Sequence, residues 1–262
     1  MGSGFITPTI VVGDVHGCLE ELDELLALVY RPGDNLIFAG DLVDRGPDPV
    51  GVCARVRELG ARCVIGNHEE KHIRWNEWEL RVNGGVAKKN PMRPFSEQRT
   101  KEHKELLTKG HINWMHSLPN FIRLSPTLVV VHAGLEPDVT VEEQKPNVLY
   151  RCRYIDPEGK MGKLDPREGD QFWTERWEGP EDIVYGHHVH NLESPVVMVD
   201  MGIEINGTEI TRRTERLVKT YGIDTGCCFG GRLTAAVFNE ESEIVCFVQV
   251  PAKEKYAHAH GF

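Results

Sequence analysis

Carboxylate, imidazole and amide side chains gather in four short strings along this 262-residue chain: Gly13-Asp14-Val15-His16-Gly17, Gly40-Asp41-Leu42-Val43-Asp44-Arg45-Gly46, Gly66-Asn67-His68-Glu69 and His132-Ala133-Gly134. Each follows an apolar run. Together they offer hard and borderline ligands from separate segments, a set suited to two divalent cations sharing one bridging carboxylate. Asp14 and His16 alternate, so an extended backbone would point both at one ion; an Asp capping the following helix would leave the same pattern. Asp41 is placed to bridge two ions. Asn67 brings a neutral oxygen to a second ion, and His132 and His187 bring imidazoles. Taken alone, His132 reads more readily as a core histidine bonded to backbone. Its place after an apolar run, in company with the other donors, favours a ligand.

The elements that must position these groups are legible in the apolar spacing. Thr9 to Val12 reads as a buried strand, Leu19 to Tyr30 as a helix, Leu36 to Ala39 as a second strand, Pro49 to Leu59 as a helix and Arg62 to Ile65 as a third strand. This β-α-β-α-β order puts every polar string after a strand, where open α/β sheets collect their active sites. Residues 71–120 change character. Helices are expected over 71–82, 100–108 and 112–117, with too little apolar content for a core of their own. The chain is therefore read as one domain, 1–262, with a helical insertion or cap at about 71–120. Leu128 to Val131 returns as a strand into His132, residues 136–180 read as long loops, and Asp182 to Tyr185 is a strand ending at Gly186-His187. Short strands follow from Pro195 to Val250, with a hairpin turned at Glu240-Glu241 between 235–238 and 244–250. The stretch 200–222 looks like an extra hairpin.

Thirty Lys and Arg against 40 Asp and Glu give a formal charge of -10. That balance argues against broad nucleic-acid binding, which rests on basic side chains neutralising phosphates. It leaves room for a small phosphorylated substrate, because bound metals reverse the local sign. No apolar stretch has the length of a membrane span, and no charged-then-apolar leader opens the chain, whose Met1-Gly2-Ser3-Gly4 reads as partly appended. The seven scattered cysteines include no C-x-x-C spacing and read as reduced structural thiols, so a cytoplasmic location is expected.

The four strings resemble the metal motifs of the calcineurin-like metallophosphoesterases, in particular their phosphoprotein phosphatase branch. A further string, Asp224-Thr225-Gly226-Cys227-Cys228-Phe229-Gly230-Gly231-Arg232-Leu233-Thr234, resembles the signature of the diadenosine tetraphosphatase-like group. The resemblance implies an α/β sandwich of two mixed β-sheets flanked by helices, with the active site at strand C-terminal ends. It gives Asp14, His16 and Asp41 to one metal, and Asp41, Asn67, His132 and His187 to the other. It implies a metal-bridging hydroxide as nucleophile, His68 as the acid that protonates the leaving oxygen, Asp44 as the residue holding its ring, and Arg45 on the phosphate oxygens. Two divalent ions are implied, with Mn²⁺ the expected occupant in vitro and Fe, Co²⁺ or Zn²⁺ compatible. In Gly186-His187-His188-Val189-His190, His187 is the expected ligand; His188 or His190 would be the alternatives near the first metal or the substrate.

Arg151 and Arg153 alternate on what reads as a strand edge. An arginine pair in the corresponding stretch of related hydrolases suggests polyphosphate contacts; a solvated edge is the other reading. Trp173 and Trp177, at i and i+4, fit a core pair better than a base-stacking platform. Asp224 is expected to shape a turn, and His258 and His260 to be surface residues. The expected activity is hydrolysis of a phosphoanhydride in a nucleoside polyphosphate such as diadenosine tetraphosphate. A phosphoprotein phosphatase (supported by Asp44), a polyphosphatase or RNA-cap hydrolase, and a non-catalytic scaffold are the alternatives. The presence of all six ligand positions and of His68 argues against the last.

Overall fold

Short β-branched runs alternate with amphipathic stretches through the first third of the chain. They fold as β1 (Thr9–Val12), α1 (Leu19–Val29), β2 (Asn35–Phe38), α2 (Pro49–Glu58) and β3 (Arg62–Cys63). The computed structural model describes residues 7–200, 203–206, 209–212 and 217–258. The opening tetrapeptide and His260 lie outside them. Helix α1 sets Leu22, Leu25 and Leu26 on one buried face. Helix α2 starts at Pro49 with Asp48 as N-cap, its carboxylate accepting the Gly51 N–H at 2.7 Å, and carries Arg55 and Arg57 in its last turn.

Three helices follow: α3 (Asn67–Asn83), α4 (Glu97–Thr108) and α5 (His111–Met115). Helix α3 begins four residues earlier than the apolar period indicates, because its first turn is polar and its start is set by capping. Strand β3 is correspondingly shorter than the expected 62–65. Next come β4 (Phe121–Ser125), β5 (Leu128–Val131), α6 (Pro146–Leu149), the two-residue strands β6 (Tyr154–Ile155) and β7 (Gln171–Phe172), and β8 (Asp182–Tyr185). The stretch 136–180 therefore carries a small antiparallel pair, β6 with β7, inside its loops. Strand β4, unmarked in the sequence analysis, pairs antiparallel with β5. Then follow β9 (Val196–Asp200), the hairpin β10 (Ile203–Asn206) and β11 (Glu209–Arg212), β12 (Val218–Gly222), β13 (Arg232–Phe238) and β14 (Ile244–Pro251). The expected hairpin between β13 and β14 forms across residues 239–243.

Two five-stranded mixed sheets result, in the orders β14-β13-β1-β2-β3 and β4-β5-β8-β12-β9. The β1-β2-β3 pairs are parallel, as are β5-β8 and β8-β12. Alternation along each strand sends successive side chains to opposite faces. Thus Ile10 and Val12 pack with α1, α2, α4 and α5, while Val11 joins Ile37, Val130, Val184 and Phe238 between the sheets. A third cluster covers the outer face of the second sheet and takes in both Trp173 and Trp177, which are core residues, with the Trp177 indole donating to the Glu181 carbonyl at 2.9 Å. All seven cysteines are free thiols, six of them buried. Among the described residues no helix is long and apolar enough to cross a membrane.

Helices α4 and α5 put Leu106, Ile112 and Met115, each fully buried, into the same cluster as β1 and α1. Leu106→Ala should therefore cost about 2–5 kcal/mol of global stability through the cavity it leaves. Denaturant titration followed by circular dichroism reads this; a midpoint shift confined to local probes on α4 would show a helix that melts by itself.

Candidate metal centre and acid dyad

The C-terminal ends of β1, β2, β5 and β8 lead directly into Asp14, Asp41, His132 and His187. Among the described residues only seven non-glycine residues have positive φ. Five are His16, Asp41, Asp44, Arg45 and His187. Such conformations are disfavoured for L side chains and persist where surrounding contacts enforce them. The Asp14-His16 segment is accordingly a turn, with His16 at φ 47°, rather than the extended segment expected from alternation. The Val15 and His16 N–H groups both donate to the Asp41 carbonyl, and this turn brings His16 Nε2 within 4.0 Å of Asp14 Oδ2.

One carboxylate organises these loops. Glu69, fully buried at the third position of α3, accepts the N–H groups of Asp41 (2.8 Å) and Gly66 (2.9 Å) on Oε2, and those of Leu42 (2.8 Å) and Val43 (3.3 Å) on Oε1. Its reach back to Gly66 is half of a capping box. Burial, then the neighbouring Asp41, pushes its pKa up to about 7 against the pull of these bonds. Gly66 must lack a side chain here, since a Cβ would stand 2.2 Å from Asp41 Oδ1; at Gly186 a Cβ would stand 2.0 Å from Asp14 Oδ1.

Asp41 lies between two groups of donors. Its Oδ2 is 3.6 Å from His16 Nε2 and 3.9 Å from His68 Nε2, and its Oδ1 is 3.4 Å from His132 Nε2. His16, Asp41 and His68 could hold one ion, and Asp41, His132 and His187 a second. Asn67 Oδ1 is 3.1 Å from His132 Nε2, and the His187 N–H donates to both Asp14 oxygens at 3.1 Å. Backbone carbonyls fix the outer ring nitrogens: His16 Nδ1 lies 2.8 Å from the Val43 carbonyl and His132 Nδ1 2.7 Å from that of Ala39, leaving each Nε2 facing inward. Burial, then Asp224 and Asp41, raises the Asp14 carboxyl well above its usual range. Burial would also raise Asp41, but His132, His68 and His16 hold it well below. Burial, then His132 and Arg153, holds His187 well below the ordinary imidazole value and so in its neutral, ligating form. Crowded buried carboxylates and imidazoles, split across the two oxygens of one aspartate, fit a pair of divalent cations.

On the other flank, His68 Nδ1 makes a very short contact with Asp44 Oδ2. Burial opposes ionisation of Asp44, but His68, His72 and Arg99 hold its pKa well below the carboxylate range. Arg99 of α4 binds it with both faces of its fork (2.6 and 2.7 Å), and Glu102 accepts its N–H at 2.9 Å. Arg45 points Nη1 at His16 Nε2, 3.0 Å away, and lies over the Phe229 ring at 4.8 Å.

The remaining expected residues separate. Arg153 turns inward: its Nη2 donates to the His187 carbonyl at 3.4 Å and its buried Nε has no partner among the described residues. Arg151 instead pairs with Glu70 and lies over the Tyr150 ring, because Tyr150 to Arg153 is a turn rather than a strand edge. Of the three histidines at 187–190, His187 is the one beside Asp41. His188 and His190 pack against Phe172, with ring centroids 4.9 and 4.7 Å away. Asp224 caps its turn through the Gly226 N–H at 2.9 Å, as expected, yet is buried and close enough to Asp14 to raise its pKa. Glu69, Arg99 and His72 carry no role in the sequence analysis. Only Glu69 had a local signal, its place three residues after the Gly66 cap.

The chain matches the calcineurin-like phosphoesterase family over residues 7–231 and belongs to that family. It is 40% identical to a symmetrical bis(5'-nucleosyl)-tetraphosphatase of Pectobacterium carotovorum, over 86% of this chain and 90% of that one. It is 29% identical to an asymmetrical bis(5'-nucleosyl)-tetraphosphatase of Oceanobacillus iheyensis, over 94% and 93%. A crystal structure provisionally assigned as a diadenosine tetraphosphatase superimposes with a TM-score of 0.63 at 28% identity, covering 95% of both chains. The protein is thus a hydrolase of phosphoesters or phosphoanhydrides in a metal-dependent family.

Glu69→Ala would strand four backbone donors, each costing about 1–3 kcal/mol when buried without a partner. Even a net loss near 4 kcal/mol lowers Tm by about 8–16 °C in a chain of this size. Calorimetry on chelator-treated wild type and variant checks this apart from any bound metal; equal Tm values would mean that the loops hold themselves.

Proposed function

We propose that this chain hydrolyses a phosphoanhydride in nucleoside polyphosphates such as diadenosine tetraphosphate, using two divalent ions, with Mn²⁺ as the working metal. The placement of Asp41 supports this most, each oxygen of one buried carboxylate facing a separate imidazole set. Asp14, His16 and Asp41 would hold one ion, and Asp41, Asn67, His132 and His187 the other. Bound there, the ions would lower the pKa of a water and offset phosphoryl charge. Arg45 and Arg153 are the cations available to non-bridging oxygens. His68, with Nδ1 on Asp44 and Nε2 toward Asp41, is oriented to give a proton to the departing oxygen as the P–O bond breaks and its electron pair moves onto that oxygen. The named relatives support the nucleotide as substrate, and they divide between symmetrical and asymmetrical cleavage. We also read the chain as one domain with α3–α5 as its cap, supported by the shared core of Leu106 and Ile112.

Two variants test the assignments. Asp41→Asn should abolish turnover and bring metal content, measured by mass spectrometry, below one ion per chain; a full complement of ions would remove Asp41 from the bridging role. His68→Ala should lower kcat by roughly 10²–10⁴ with metal content unchanged. Loss of an ion instead would make His68 a ligand, as its place beside His16 and Asp41 also allows.

Chromatographic product analysis with Mn²⁺ on diadenosine tetraphosphate, inorganic polyphosphate, capped RNA and a phosphothreonine peptide tests the substrate. The dinucleotide should give the highest kcat/KM, with two ADP marking symmetrical and ATP plus AMP asymmetrical cleavage. Preferred release of phosphate from the peptide would overturn the nucleotide reading.

A further inference from the structure

Beside His68 lies one cation that the mechanism above does not use, Lys71. Residues 71–109 contain ten Lys and Arg against five Asp and Glu, whereas the whole chain carries -10. Lys71 stands three residues after His68 and four after Asn67 on α3, the spacing that places side chains on one helix face. It is half-buried, and among the described residues it makes no hydrogen bond or ion pair. Burial, then Arg99, Arg45 and Arg74, lowers its pKa against the pull of Asp44, so three guanidinium groups share its surroundings with that carboxylate. The nearby acids are already engaged: Asp44 by both nitrogens of Arg99, and Glu70 by Arg151 and Arg74. Arg45 also lacks a carboxylate within ion-pair distance among the described residues. Lys71 thus stands one helical turn from His68, with no acid within ion-pair distance among the described residues.

A half-buried lysine among arginines carries a desolvation and repulsion cost that an anion at that place would relieve. On the proposed function His68 faces the oxygen that departs, so an anion at Lys71 would be part of the leaving group itself.

We propose that Lys71 is a specificity-determining residue that binds the first phosphate of the leaving group, selecting substrates that depart as a phosphate-bearing anion over those that depart as an alcohol or phenol. This inference rests on the reading of His68 as the leaving-group acid. In the reaction, the bridging oxygen leaves the attacked phosphorus with its electron pair, receives the proton from His68 and stays on the phosphate that Lys71 holds. A serine or threonine leaving group would offer Lys71 nothing.

The test is equilibrium binding by titration calorimetry to the full-length, Mn²⁺-loaded protein at fixed free Mn²⁺. The probes are two non-hydrolysable ligands, methylenediphosphonate and methylphosphonate. Wild type should prefer the diphosphonate, and Lys71→Ala should shrink the ratio of the two Kd values by about tenfold, the scale of one lost charge-assisted contact. Lys71→Met should do the same, and Lys71→Arg should keep most of the preference. A ratio that is the same in wild type and Lys71→Ala, an equal weakening of both ligands, or a wild-type ratio near one would overturn the proposal. Turnover of diadenosine tetraphosphate by the same preparation separates the two readings. A shifted ratio without dinucleotide turnover leaves Lys71 as a diphosphate contact and removes the proposed substrate.

Discussion

A single buried carboxylate, Glu69, ties the start of α3 to the loop after β2. The four N–H groups it accepts belong to Asp41, Leu42, Val43 and Gly66, the backbone on either side of the central aspartate. Without those bonds the loop carrying Asp41, Asp44 and Arg45, three of its residues at positive φ, would have several buried donors unsatisfied. The strain of the site is therefore borne by a residue that touches no ligand position with its own reactive atoms. Because the same carboxylate fixes the first turn of α3, it also sets where Asn67 and His68 enter the site.

Charge divides the site in two. Asp14, Asp41 and Asp224 crowd one side, buried and mutually repelling, a repulsion that bound cations would offset. Lys71 and Arg99 lie toward the other side, with Asp44 between Arg99 and His68, while Arg153 stays at the His187 carbonyl and Arg45 at His16 Nε2. On the proposed function, a polyanionic substrate would span these two fields, with its reacting phosphorus at the acidic side and its departing portion at the basic one. The net charge of -10 describes neither field, since both are local.

The outer support comes from helices far away in sequence. Arg99 and Glu102 reach Asp44 from α4, 55 and 58 residues on, and His103 backs His72 at 3.0 Å. Burial, then His72, lowers the His103 pKa to about 4. Helix α4 thereby takes part in aligning Asp44 and His68, and packs through Leu106 onto the main core.

The chain by itself determined the elements and the candidate ligand strings, because both are written in short range. Apolar runs of four and helical leucine spacing place β1, α1, β2 and α2 within a residue or two, and the glycine-flanked polar strings that follow the strands carry Asp14, His16, Asp41, Asn67, His132 and His187. What only the tertiary structure decided are relations between distant residues: that Arg99 binds Asp44, that Glu69 gathers two loops, that Arg153 turns inward while Arg151 pairs with Glu70, and that Asp14 and His16 meet through a turn. Periodicity reports which face of an element is buried, but not which neighbour lies against it. A contact across 55 residues leaves no mark in either local pattern, since its energy is realised only when both sheets and the cap have already packed.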